Sequence, residues 1–248
     1  MAVADLTNEQ RRIIRDLVSH YEEHREAIFG KFLDILRVHI TGDPNLKEYI
    51  HSVKMRTKAP GHLKDKLSRK FRDANKNGKK VKVTKDNLFT TINDLAGFRI
   101  LHLHTGQFED LHKGLLALFA RERYVLRGKP FARTWDDESR GYFKEIGIKT
   151  EKSPSMYTSV HYVISSQSRV AATCEIQVRT LMEEVWGEVS HTVNYPHEVR
   201  SVACKEQIAT LARVTSSATR LVDSIFRSYD DHERVTRATA ELRRRLRP

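Results

Sequence analysis

The chain has 248 residues, 39% of them hydrophobic and 31% charged, so it can build a sizeable core beneath a polar surface. Its formal net charge of +12 requires an acidic partner, and nucleotide phosphates, RNA or an anionic membrane surface could each supply it. A signal peptide, an apolar stretch of the roughly 18 residues that span a membrane, and a disulfide framework are all missing from the sequence, which predicts a cytoplasmic protein without a membrane partner.

Two helical stretches are predicted within residues 1–44, which we treat as an N-terminal helical segment. Thr7 and Gln10 have the spacing of a capping box, in which each side chain bonds the backbone amide of the other residue. Apolar residues then recur at helical spacing until a break at Gly42-Asp43-Pro44. An intensely basic stretch follows between Lys54 and Lys85.

A domain of strands and helices is predicted over residues 45–200. The mostly apolar run from Asp94 to Leu103 has the length of a strand, and residues 108–119 form an amphipathic helix that could cross back over a sheet. Residues 127–156 show little periodicity, so we expect a long loop there, of the kind that is functional or disordered.

Two more strands, over residues 157–165 and 172–180, precede a helix that contains Trp186. After a break at Pro196, residues 201–248 form a helical tail whose apolar positions suit packing or self-association. The tail ends in the basic run Arg243-Arg244-Arg245-Leu246-Arg247.

The last two strands carry the most informative pattern, because alternate side chains of a strand share a face. In the second of them, Cys174, Ile176 and Val178 point towards a core and leave the polar residues on the other side. Such a polar face resembles a site, although an outward face with cross-strand ion pairs is the alternative. Its members are Tyr157, Ser159, His161, Glu175, Gln177 and Arg179.

Two carboxylates and a group of cations could serve phosphate chemistry. Asp94 at the mouth of its strand could hold Mg²⁺ together with Glu175, because this ion favours one or two carboxylates plus substrate phosphates. Asp94 as a simple turn residue is the alternative. Arg56, Lys58 and Lys66 could clamp a triphosphate, unless they only form a solvated helix face.

Several familiar site patterns are absent from the sequence. There is no Walker A motif and no GxGxxG motif, so an ATP site would need another scaffold. His191 and His197 lack the spacing of an HExxH zinc site, and this disfavours a histidine-bound zinc ion there.

Taken in order, these segments resemble the synthetase domain of the RelA/SpoT family over about residues 45–200. Each motif is weak alone, but their shared order makes the resemblance strong. The matching stretches are Arg56-x-Lys58 with Lys66, Asp94-Leu-Ala-Gly-Phe-Arg99, Tyr157-Thr-Ser-Val-His-Tyr162, Glu175-Ile-Gln-Val-Arg-Thr180, Trp186 and His191-Thr-Val-Asn-Tyr195.

The resemblance implies an α+β fold, a mixed sheet flanked by helices of the polymerase-beta-like nucleotidyltransferase type, with helical N- and C-terminal extensions. It also implies the site residues. Asp94 and Glu175 would be catalytic and would bind Mg²⁺. ATP would be bound by Arg56, Lys58, Lys66 and Arg99, and the acceptor by Tyr157, His161, Gln177, Arg179 and Asn194.

This chain departs from the family pattern at two places. Met156-Tyr157-Thr158 stands where members usually carry Gly-Tyr-Arg, which removes a cation near the acceptor, and Pro60-Gly61-His62-Leu63 replaces a stretch that usually holds serine. None of the 12 histidines is followed by aspartate, so the His-Asp pair of the family's hydrolase domain is missing. We therefore expect a synthetase alone.

The expected function is a pyrophosphokinase that transfers the terminal diphosphate of ATP to GDP or GTP and makes (p)ppGpp. An adenine nucleotide or the 3′ end of tRNA is the alternative acceptor, as in toxic small members of the family, and the basic segments make tRNA credible. An inactive nucleic-acid-binding module is an alternative of another class. A homo-oligomer through the C-terminal helices and an antitoxin partner are further possibilities.

Overall fold

A mixed β-sheet organises the computed structural model, which describes residues 6–194 and 199–245. Within that part of the chain, the strands run in the order β1-β2-β7-β6-β4-β5, and β3 pairs with β6 beside β4. The strands are β1 (Ser52–Thr57), β2 (Ala96–His102), β3 (Val125–Leu126), β4 (Phe131–Thr134), β5 (Lys149–Lys152), β6 (Ser159–Ser165) and β7 (Thr173–Thr180).

Helices cover both faces of this sheet and extend it at both ends. A π-helix at Arg25–Gly30 joins the first two α-helices, and a 3₁₀ turn at Thr105–Gln107 precedes the sixth. The α-helices are α1 (Asn8–His24), α2 (Lys31–Gly42), α3 (Pro44–Lys47), α4 (Pro60–Lys76), α5 (Leu88–Thr91), α6 (Phe108–Arg121), α7 (Asp137–Glu145), α8 (Leu181–Asn194) and α9 (Val202–Arg245).

The pairing pattern confirms the predicted α+β class. The β2–β7 and β4–β5 pairs are parallel and the other pairs are antiparallel, so the sheet is mixed. The predicted capping box is present, because Thr7 accepts from the Gln10 amide and Gln10 accepts from the Thr7 amide. Pro196, His197 and the residues after Arg245 lie outside the described residues.

One face of the sheet is apolar and builds the core. Cys174, Ile176 and Val178 of β7 are buried on this face, as their alternation predicts, opposite Ile164, Tyr162 and Val160 of β6. Buried residues of α1 and α2 join the same hydrophobic cluster. The N-terminal helices therefore share the core of the sheet.

The prediction of a long loop over residues 127–156 was wrong. This stretch contains β4, α7 and β5, which form a parallel strand pair and its crossover helix. Both strands have four residues, too few for an alternating pattern to stand out in the sequence. Their pairing along the edge of the sheet decides their conformation.

Strand β6 begins at Ser159, two residues later than the predicted start at Tyr157. Met156, just before it, has a φ of 58°, in the left-handed region that favours glycine. Members of the RelA/SpoT family usually carry glycine at this position. A side chain in this conformation costs about 1–2 kcal/mol, which glycine avoids.

The first part of α9 is fixed to the body of the protein by polar contacts. The indole of Trp186 donates to the carbonyl of Ile208 at 3.0 Å, and the hydroxyl of Ser216 donates to Asp136 at 2.6 Å. Asp223 accepts from the amide of Thr105 at 2.6 Å. No helix in the described ranges is long and apolar enough to cross a membrane.

Glu183 gives the fold a distinctive dependence on pH. Its side chain on α8 is only 7% exposed, and burial, opposed in part by the charge of Arg179, raises its pKa from 4.5 to about 7. The folded protein therefore holds a proton there that the unfolded chain releases between pH 4.5 and about 7. The resulting contribution to stability, about 3 kcal/mol, is present below this window and is lost as the pH rises through it.

We predict that Glu183→Gln will flatten the fall in the free energy of unfolding between about pH 5 and pH 8, because the amide does not ionise. Urea unfolding at several pH values measures this change. Glu109→Gln, at a half-exposed carboxylate on α6, is the matched control and should keep the original slope. An unchanged slope in Glu183→Gln would contradict the assignment.

Candidate active site

The polar face of the sheet contains two groups built around carboxylates. In the first, Asp94 lies between the ammonium groups of Lys58 and Lys66, at 2.8 Å and 2.7 Å. Burial opposes ionisation of Asp94, but the hydrogen bonds and charges of both lysines outweigh it and lower its pKa. Asp94 is therefore a fully ionised carboxylate at neutral pH.

Backbone contacts fix the position of this first group. Lys58 follows β1, and its amide donates to the carbonyl of Leu95 at 2.9 Å. The hydroxyl of Tyr21, on α1, donates to the carbonyl of Lys58 at 2.7 Å. Lys66 reaches Asp94 from α4, whose first turn is formed by the altered stretch with Pro60 at its first position.

The second group surrounds Glu175, at the centre of β7. His161 on β6 contacts this carboxylate at 3.1 Å, and the amide of Gln177 donates to it at 3.2 Å. Burial raises the pKa of Glu175, but the hydrogen bond and charge of His161 lead a larger opposing effect that lowers it. The other ring nitrogen of His161, Nε2, is buried without a hydrogen-bond partner among the described residues, so it is free to bind a ligand.

The two carboxylates lie near enough for the charge of Asp94 to act on Glu175. Glu175 pairs with Gly97 in β2, and Gly97 pairs with Arg56 in β1, so one row of the sheet connects both groups. Arg56 is exposed and packs over Gly97, where an added Cβ would lie 3.6 Å from its side chain. The two ionised carboxylates supply oxygen ligands of the kind that Mg²⁺ prefers.

Tyr157 lies at the edge of the second group. Its ring is 5.8 Å from that of His161, and the guanidinium of Arg179 lies over it at 5.4 Å. Phe131 stacks on the other side of His161, with ring centroids 5.2 Å apart. The structure thus brings Tyr157, His161, Gln177 and Arg179 together, as the alternation of the strands predicts.

Two carboxylates that sequence reasoning missed, Glu184 and Glu188 of α8, lie over the same face. Both accept from Arg99 at 2.7 Å, and Lys54 reaches Glu184 at 2.7 Å. Glu184 also pairs with Arg179. Burial opposes ionisation of Glu184, but the hydrogen bond of Lys54 and the charges of the two arginines lower its pKa to about 2.

Gly187 allows α8 to approach the sheet this closely. A Cβ at this position would lie 2.6 Å from a guanidinium nitrogen of Arg179, so a side chain there would have to displace this group. The sequence contained one signal for the ion pairs of Glu184 and Glu188 with Arg99. These two glutamates are one helical turn apart, so they lie on the same side of α8. Their partners could not be identified without the path of α8.

Two further residues of the matched motifs, His191 and Asn194, lie in the last turn of α8. The helix α8 runs from β7 towards β1, and His191 lies within electrostatic reach of Arg56. Asn194 follows at the end of α8, where its side-chain oxygen accepts from the amide of Val199 at 3.2 Å. Thr158, in place of the family's arginine, forms a buried hydroxyl pair with Thr134 at 2.9 Å.

Comparison with solved structures supports the fold. The chain is similar to small alarmone synthetase 1 from Bacillus subtilis bound to its product pppGpp, with 20% identity, a TM-score of 0.57, and coverage of 84% of this chain and 98% of that chain. It is also similar to a GTP pyrophosphokinase family protein from Streptococcus pneumoniae, with 18% identity, a TM-score of 0.58, and coverage of 92% and 97%. No curated protein matches it.

The family is defined by a match in sequence. A family model described as a region found in RelA / SpoT proteins matches residues 55–200. This region is more than half of the chain, and it contains Asp94, Glu175 and the side chains around both. The chain therefore belongs to the RelA/SpoT family.

Proposed function

We propose that this protein is a pyrophosphokinase that transfers the terminal diphosphate of ATP to the 3′-hydroxyl of GDP or GTP. The observation that carries the proposal is the pair of ionised carboxylates, Asp94 and Glu175, flanked by cations on one face of the sheet. Two solved structures of a relative from Bacillus subtilis contain pppGpp and AMPCPP, and this supports nucleotides as substrates.

In this proposal the ATP donor binds beside β1. Lys58 and Lys66 already lie around an anion, the carboxylate of Asp94, so their ammonium groups are positioned for phosphate oxygens. Exposed Arg56 adds a third cation in the adjacent row. Arg99 is held by Glu184 and Glu188, so a phosphate would have to compete with two carboxylates for it. We therefore give the main donor role to the two lysines.

Asp94 and Glu175 would hold Mg²⁺, since both are ionised and the substrate phosphates would complete the shell. When bound, the ion would neutralise charge on the diphosphate being transferred. Glu175 also accepts hydrogen bonds from His161 and Gln177, which fix its orientation. An oriented, ionised carboxylate can receive the proton of the acceptor hydroxyl as that oxygen attacks the β-phosphorus of ATP. The bond between the β-phosphorus and the α–β bridging oxygen breaks in the same step, and AMP leaves with that oxygen.

The acceptor would bind against Tyr157, His161, Gln177 and Arg179. Arg179 lies over the ring of Tyr157 and supplies positive charge beside it, although the family's usual cation is replaced by Thr158. The free Nε2 of His161 offers a further polar contact. Stacking accepts any base, so the ring itself does not distinguish guanine from adenine.

Transfer to the 3′ end of tRNA is the second candidate function. A surface concavity beside α4 is lined by Lys70, Lys79, Lys80 and Lys82, and four lysines at one place favour a polyanion. An adenine nucleotide would use the same acceptor pocket. The chemistry at Asp94 and Glu175 is common to all three acceptors.

The deciding experiment incubates the protein and Mg²⁺ with γ-labelled ATP and GDP, GTP, ADP, unlabelled ATP or bulk tRNA in parallel. We expect label in the product of GDP or GTP. Label in tRNA or in an adenine nucleotide would identify that molecule as the acceptor and leave the proposed type of reaction unchanged. Binding of nucleic acid without labelled product from any acceptor would favour the inactive binding module and reject the enzyme.

We predict that Asp94→Asn and Glu175→Gln will each lower the transfer rate at least about a hundredfold, roughly 2.7 kcal/mol of barrier. Each variant removes a negative charge that would hold the Mg²⁺ ion, and Glu175→Gln also removes the proposed proton acceptor. Glu151→Gln, on the edge strand β5, is the matched control and should keep the rate. A near-normal rate in either site variant would reject the assignment.

Tyr157→Ala should raise the KM for the acceptor about tenfold or more, because stacking on a base is worth roughly 1–3 kcal/mol. Tyr157→Phe should be mild, since the ring rather than the hydroxyl makes the contact. Steady-state kinetics and the melting temperature are measured on the same preparations. A lower melting temperature with an unchanged acceptor KM would make Tyr157 a structural residue instead.

Self-association through α9 remains part of the proposal. Val214, Leu221, Val235 and Leu242 are all exposed and lie at multiples of seven residues, the spacing of a coiled-coil seam. An antitoxin partner could use the same seam. The cytoplasmic location stays a prediction.

We expect light scattering to detect an oligomer at micromolar concentration and Leu221→Glu with Val235→Glu to give a monomer, because charge on the seam opposes its burial. Ala240→Glu, on the opposite side of the helix, is the control and should leave the oligomer intact. A wild-type monomer would contradict the role of this seam.

A further inference from the structure

A second cluster of metal-ligand side chains lies outside the candidate active site, on the last turn of α1. His20, Glu23 and His24 offer ligand atoms that all lie within 4.8 Å of one another. Among the described residues, this is the group of three or more histidine, cysteine or carboxylate side chains that is compact enough for one ion. Its spacing, His-x-x-Glu-His, places all three on one side of a single helical turn.

The orientation of both imidazoles suits a metal ligand. Nδ1 of His24 lies 2.9 Å from the carbonyl of His20, which fixes the proton on that nitrogen and leaves Nε2 as the lone-pair donor. The ring of His20 stacks on buried Phe89, with centroids 5.1 Å apart and planes 7° apart. The hydrogen bond of His24 is of the kind that orients histidine ligands in metalloproteins, and the stacking on Phe89 restricts rotation of the His20 ring.

The backbone changes conformation at the same place. At His24 the α-helix gives way to the π-helix Arg25–Gly30, a rare conformation that is frequent at functional sites.

We propose that His20, Glu23 and His24 bind a borderline transition-metal ion of the Zn²⁺ class. Two imidazole nitrogens and one carboxylate are a ligand set of zinc proteins, whereas Mg²⁺ prefers oxygen ligands alone. A pair of histidines four residues apart on a helix also binds zinc in peptidases of the HExxH and HxxEH types. The site lies on α1, so it is distinct from the carboxylates at Asp94 and Glu175.

A metal ion at this position would stabilise the folded protein. It would cross-link His20 and His24 across the turn that carries Tyr21, and the hydroxyl of Tyr21 donates to the backbone of Lys58. An ion that binds the folded chain in preference to the unfolded one raises the melting temperature. The binding itself can therefore be measured without any transfer assay.

The test uses the full chain without a histidine tag, stripped of metal with a chelator. Isothermal titration should detect one Zn²⁺ per chain, melting curves should shift upwards with Zn²⁺, and excess Mg²⁺ should not displace it. Glu23→Gln and His24→Gln should each weaken Zn²⁺ binding at least about tenfold. His232→Gln, which removes an exposed histidine on α9, is the matched control and should bind Zn²⁺ as the wild type does.

Circular dichroism checks that each variant is folded. Glu23 is exposed, so Glu23→Gln is decisive even if His24→Gln unfolds. No Zn²⁺ binding by the wild-type protein, or equal binding by wild type and Glu23→Gln, would overturn the proposal. Since none of these readouts is activity, failure here leaves the proposed pyrophosphokinase untouched, and failure of the transfer assay leaves the metal site untouched.

Discussion

Charge compensation on the polar face of the sheet is the constraint on which the rest of the structure depends. Glu184 and Arg179 are only 5% and 4% exposed, and a buried charge without a partner costs several kcal/mol. Glu184 therefore has to lie among Lys54, Arg99 and Arg179, and this fixes α8 across the face. The glycine at position 187 is what makes the distance short enough.

The position of α8 in turn determines where the long C-terminal helix lies. The indole of Trp186, on α8, donates to the carbonyl of Ile208, so the first turns of α9 pack against α8. Further along, Asp136 at the start of α7 accepts from both Ser216 and Arg220 of α9. One set of buried ion pairs thus connects the centre of the sheet with a helix that extends well beyond it.

The same compensation shapes the chemistry that this face can perform. Asp94 and Glu175 remain ionised despite burial because cations or hydrogen-bond donors surround each of them. Lys58 and Lys66 are held around an anionic group, so under the proposed function a phosphate would meet cations that are already in position. The histidine-containing cluster on α1 offers nitrogen as well as oxygen ligands, which distinguishes it from the two carboxylates of this face.

The sequence alone determined which residues share a face of a strand and which family motifs follow one another along the chain. Strand alternation separated Cys174, Ile176 and Val178 from the polar residues of β7, and the ordered motifs identified the family, because both are local properties of the chain. Only the tertiary structure decided the partners. Glu184 meets Arg99 across 85 residues of sequence, and the short strands β4 and β5 exist because they pair with each other at the sheet edge. Periodicity reports which face a side chain occupies, but contact between distant segments depends on the path of the backbone, which no local pattern contains.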